Sequence, residues 1–107
     1  EEISARKLLS EIIERDAVVT RGKESFLRNC ASCHGTQAIG DGPVAETLKV
    51  EPANLTQLSQ KDGGEFPFWR VYRSVDGRFR KSHFDTETQI QDRILDLVYY
   101  IESVQAE

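Results

Sequence analysis

Apolar residues recur at helical spacing at the two ends of the chain, and nowhere alternate with polar ones at the spacing of a strand. Ile3, Leu8, Leu9, Ile12 and Ile13 stand among charges and predict an amphipathic helix over residues 3–15. Thr20 is suited to cap a second helix, with Lys23 and Glu24 near its start and Gly22, Phe26 and Cys30 on one face. At the other end Ile90, Ile94, Leu97, Val98, Ile101 and Val104 form one stripe, which predicts a helix over 88–104. Between them the pattern dissolves into turn chemistry: Gly40-Asp41-Gly42-Pro43, Glu51-Pro52 and Asp62-Gly63-Gly64. A short helix from Pro43 to Lys49 and another from Phe66 to Val75 fit there, each with a proline in its first turn. Asp76-Gly77 would end the second. The expected fold is all-α.

Composition changes this picture in one respect. The chain has 107 residues, enough for a single small domain. It is 38% hydrophobic and 8% aromatic, a lean supply for a self-sufficient core. A large apolar cofactor would make up the difference. The net charge of −4 speaks against nucleic acid or anionic membrane as partners. Basic residues do gather at Arg70, Arg73, Arg78, Arg80 and Lys81, either as solvated arginines or as a face for an acidic partner. No apolar run approaches the roughly 18 residues of a membrane span, so no membrane insertion of this chain is expected. The chain starts without Met or a signal peptide, which reads as removal of a secretory leader or an anchor.

The chain holds two cysteines, Cys30 and Cys33, and His34 follows at once. One helical turn separates the thiols, a spacing suited to thioether bonds with the two vinyl groups of one porphyrin, with His34 beneath the iron. This arrangement is the attachment signal for one covalent haem c. A zinc site would need a fourth ligand, and His83 alone remains among His and Cys. A thioredoxin-like pair should follow a strand, whereas here a helix leads into the cysteines. A structural disulfide leaves His34 unexplained. No other catalytic constellation stands out, and Asp41, Asp62 and Asp85 read as turn residues.

On these residues the chain from 20 to 104 resembles a class I bacterial cytochrome c. Gly22-x-x-x-Phe26-x-x-x-Cys30 is similar to the family's N-terminal haem helix, and Leu97-Val98-Tyr99-Tyr100-Ile101 to its C-terminal helix. The resemblance implies four to five helices around one haem, the terminal helices crossing with Gly22 against Tyr100 or Tyr99. A glycine there lets the backbones approach closely. Residues 20–107 would form this mono-haem domain. Residues 1–19 would add an amphipathic extension, either covering the core or serving as a docking or dimerising helix. Gly40-Asp41-Gly42-Pro43 resembles the family loop whose proline carbonyl accepts the N–H of the haem histidine, which assigns that role to Pro43. Pro52-Ala53-Asn54-Leu55-Thr56 and the Phe66–Tyr72 stretch resemble segments flanking the haem. Trp69 and Arg70 become candidates for the haem propionates, with ordinary core packing the other reading of Trp69.

One family feature is missing. The resemblance implies a methionine as sixth iron ligand before the last helix, and this chain has no Met. His83 is the favoured substitute; an open sixth position and Lys81 are the alternatives. Electron transfer with a redox partner protein, in the bacterial periplasm and without enzymatic turnover, is the function this implies. An open site would instead suit gas binding or peroxide chemistry.

Overall fold

The computed structural model describes residues 2–79 and 86–106. Five helices make up the framework: α1 (Glu2–Asn29), α2 (Ala31–His34), α3 (Leu58–Lys61), α4 (Phe68–Phe79) and α5 (Glu87–Ser103). Two 3-10 turns, Ala45–Thr47 and Leu55–Gln57, sit in the long connection between α2 and α3. No strand occurs among the described residues, so the all-α expectation holds.

Two boundaries differ from the sequence reading. The extension and the haem helix are a single helix, because nothing in Asp16-Ala17-Val18-Val19 breaks helical hydrogen bonding and Thr20 continues the turn. At 28 residues α1 is about 42 Å long by the rise of an α-helix. Likewise α4 runs through Asp76 and Gly77 to Phe79. Gly77 lies exposed with nothing near it, and a lone glycine weakens a helix by only about 1 kcal/mol. The predicted helix after Pro43 is reduced to the single 3-10 turn at Ala45–Thr47.

α5 is the centre of the packing. Its N-terminus is closed by a capping box, in which the Thr86 hydroxyl accepts from the Gln89 backbone and the Gln89 side chain accepts from the Thr86 backbone. Ile90, Ile94, Leu97, Val98, Tyr100 and Ile101 are all buried. With Phe26 of α1 and Val71 of α4 they make up most of the core. At the α1–α5 crossing a Cβ on Gly22 would collide with the carbonyl oxygen of Asp96 and stand 2.7 Å from the Tyr100 Cβ. The aromatic seated by Gly22 is therefore Tyr100, whose ring lies 5.3 Å from that of Phe26. Tyr99 turns to Phe68 of α4, 5.1 Å away. Arg21 reinforces the crossing with two contacts to the Asp96 carboxylate, at 3.2 and 3.3 Å.

Candidate haem site

Cys30 ends α1 and leads directly into the single turn α2, so both thiols and the imidazole are carried on one rigid corner. The Cys30 N–H donates to the Phe26 carbonyl, closing α1, and the His34 N–H donates to the Cys30 carbonyl. A helix end leaves carbonyls without partners. Here the following loop returns to satisfy them: Gly40, Gly42 and Val44 donate to the carbonyls of His34, Cys33 and Ser32 at 2.7, 3.0 and 3.0 Å. Gly42 must lack a side chain, because a Cβ would meet the Ser32 carbonyl and come within 2.6 Å of the Ala31 oxygen. Gly40, at φ 97°, takes a backbone conformation open to glycine.

This arrangement corrects the role given to Pro43. The Gly40–Pro43 loop is held against the backbone of the Cys30–His34 turn, and Pro43 itself is exposed. The imidazole is oriented instead from the next loop: His34 Nδ1 donates to the Ala53 carbonyl at 3.0 Å. A carbonyl can only accept, so Nδ1 carries the proton and Nε2 keeps its lone pair for a metal.

Ala53 is in turn placed by its neighbours. The Asn54 side-chain oxygen accepts from the Thr56 backbone and hydroxyl at 3.0 and 2.6 Å, fixing the turn that follows Ala53. The Leu55 N–H donates to the carbonyl of Ala38, which is fully buried and sits at φ 64°. Gln105, beyond α5, clamps the same segment. Its amide donates to Leu55 and Ile101 carbonyls at 2.6 and 2.9 Å and accepts from the Ser59 N–H at 2.9 Å. Ala53, Ala38 and Gln105 were not singled out from the sequence. Only the Pro-Ala-Asn-Leu-Thr stretch had pointed to this loop.

Both cysteines are half-buried free thiols. Burial pushes the Cys30 thiol up to about 11, against the lowering pull of the Arg78 charge. A thioredoxin-like nucleophile needs the opposite shift, so that reading loses its chemistry. Among the described residues no group of three His, Cys, Asp or Glu side chains converges to hold a bare metal ion.

The residues fit a haem. His34 offers a free Nε2, and the two thiols stand beside it on the same turn. Phe26 lies 6.5 Å from the imidazole. Leu55, Leu58, Phe66 and Val75 pack on the core only partly buried, leaving apolar surface for a large flat group to cover.

The other sequence candidates lie elsewhere. Trp69 is 64% exposed, so it is not a core residue. It lines a surface groove with Val18, Phe68 and Tyr99, and its ring meets those of Phe68 and Tyr72. Arg70 is exposed and pairs with Asp62 at 3.3 Å. His83 and Lys81 lie outside the described residues.

A corner that presents two thiols and a tautomer-fixed imidazole defines a covalent-haem protein. The family model for cytochrome c matches residues 19–105, and the chain belongs to the cytochrome c family. No curated protein and no solved structure matches the chain. Membership carries with it covalently bound haem c and haem-based electron transfer. No helix among the described residues is long and apolar enough to cross a membrane.

Proposed function

We propose that this chain is a mono-haem, class I-type electron carrier of the bacterial periplasm, free or as the cytochrome subunit of a redox enzyme. The observation that carries the reading is the His34–Ala53 hydrogen bond beside two free thiols. Cys30 and Cys33 would hold the porphyrin by adding their S–H across its two vinyl groups, and His34 Nε2 would ligate the iron. When bound, haem supplies one-electron chemistry between ferric and ferrous iron.

The chain's own residues set the conditions for that chemistry. The Ala53 carbonyl fixes the imidazole in place and raises its donor strength. Phe26, buried in the core, lies beside the imidazole at 6.5 Å. His83 would be the second protein ligand to the iron, which would favour electron passage over substrate binding. The periplasmic location follows from the chemistry, since thioether attachment in bacteria of this family's kind takes place outside the cytoplasm.

The test is an optical titration of the haem-loaded protein with and without carbon monoxide. Reversible one-electron reduction, low-spin spectra in both states and no carbon monoxide complex support the carrier. Rapid carbon monoxide binding by a high-spin haem would instead establish an open sixth site and a ligand-binding protein.

A further inference from the structure

Residues 5–17 of α1 are exposed, and Glu11, Glu14 and Arg15 face the body across the groove beside Trp69 and Tyr99. Arg15, paired with Glu102 at 3.2 Å, marks where the C-terminal end of α5 reaches the helix. Before it, Leu8, Leu9, Ile12 and Ile13 are 57–60% exposed. Four large aliphatic side chains side by side in water are unusual on a monomer, and such contiguous patches mark interaction surfaces.

The order of residues along this face indicates what covers it. At about 100° per residue, Ala5, Leu8, Leu9, Ile12, Ile13 and Asp16 share one side of the helix. This row has mirror order about the midpoint between Ser10 and Glu11. Laid antiparallel on a second copy across a two-fold axis there, Leu8 comes level with Ile13 of the other copy and Leu9 with Ile12. Asp16, the one charge in the row, comes level with the small Ala5. Arg6 lies on the same flank one position away, within reach of that carboxylate. Neither Arg6 nor Asp16 has an ion-pair partner among the described residues. Helical spacing alone gives this order to any apolar stripe; the opposite charges of Arg6 and Asp16, brought together only when a second copy lies antiparallel, are what point to self-pairing.

We infer that the protein self-associates into a two-fold dimer through antiparallel pairing of its α1 N-terminal halves. Each copy buries Leu8, Leu9, Ile12 and Ile13 on the same residues of the other, and Arg6 pairs with Asp16 across the axis. The pairing lies along the shaft of the helix, away from Cys30–His34, and does not depend on the haem reading.

The experiment is sedimentation velocity on the haem-loaded protein over a wide concentration range, with circular dichroism to monitor folding. A reversible shift toward twice the chain mass with concentration is expected. Ile12→Glu, at an exposed site, should leave helicity and visible spectrum unchanged and remove the dimer. Arg6→Asp should weaken association at least tenfold, and the exchange Arg6→Asp with Asp16→Arg should restore it. A wild-type protein monomeric at every concentration overturns the inference. So does a monomer that binds vesicles of anionic lipid through the same stripe. A dimer indifferent to Ile12→Glu or to the charge exchange overturns it as well.

Discussion

The Nδ1 of His34 lies 3.0 Å from the carbonyl oxygen of Ala53, and this bond joins the cysteine–histidine corner to a loop 19 residues further on. A backbone acceptor cannot be deleted by a side-chain change. Its position rests on Asn54, whose side chain closes the next turn, and on Gln105, which clamps the segment beyond it.

Asn54→Ala should therefore act on the haem as well as on the fold. Loss of two local hydrogen bonds should cost about 1–2 kcal/mol. A looser Ala53 should weaken the donor strength of His34 and so raise the reduction potential, because a stronger imidazole donor favours ferric iron. Thermal melts and a redox titration read the two effects. A lower melting temperature at unchanged potential would leave Asn54 with a role in the fold alone.

The helix crossing gives a second test. Gly22→Val places a branched side chain where even a Cβ overlaps the Asp96 carbonyl and crowds Tyr100. Overpacking of this kind costs about 1–3 kcal/mol. In a domain of this size each kcal/mol lowers the melting temperature by about 4–8 °C. An unchanged melting temperature would mean that α1 and α5 do not meet at Gly22.

These two sites show how far the sequence could be read. Periodicity placed Gly22 on one face with Phe26 and Cys30, and its role at the crossing was legible through the resemblance to the cytochrome c helices. The α5 stripe was legible from periodicity, and Ile90 to Ile101 are buried as the pattern required. The acceptor for His34 was not. Gly40-Asp41-Gly42-Pro43 and Pro52-Ala53-Asn54 are both turns, and a backbone carbonyl leaves no mark on residue identity. Gly42 settles the difference in three dimensions, since its close approach to Ser32 commits the first loop to closing the cysteine turn. The continuity of α1 was missed because a good N-cap residue such as Thr20 is also tolerated inside a helix when its neighbours continue the pattern. For Trp69 the sequence left two readings, propionate contact and core packing, and its place in a surface groove removes the second.

Tyr100 should make stability fall at alkaline pH. Burial pushes its phenol above the ordinary value near 10, so the neutral form is favoured in the folded state. The associated stability is complete below the unfolded-state pKa of about 10 and is lost as pH rises through the folded value. Urea denaturation across this range should show the decline, and Tyr100→Phe should flatten it. An identical slope in Tyr100→Phe would assign the decline to other groups.

His83→Ala addresses the second protein ligand to the iron. With His83 as ligand, the wild-type haem should be low-spin in both redox states and lack the near-infrared band of a methionine sulfur ligand. Its potential should lie below that of His/Met relatives. The variant should turn high-spin and bind carbon monoxide. A variant spectrum identical to the low-spin wild type would transfer the role to Lys81 or another residue.

Covalent attachment through Cys30 and Cys33 is tested most directly by acid–acetone extraction of the haem-loaded protein, with wild type beside Cys30→Ser and Cys33→Ser. Both thioethers should keep the wild-type haem with the precipitated polypeptide, and each serine variant should mature poorly and leave less haem attached. Haem passing freely into the acetone from the wild-type protein would contradict covalent attachment by this pair of cysteines.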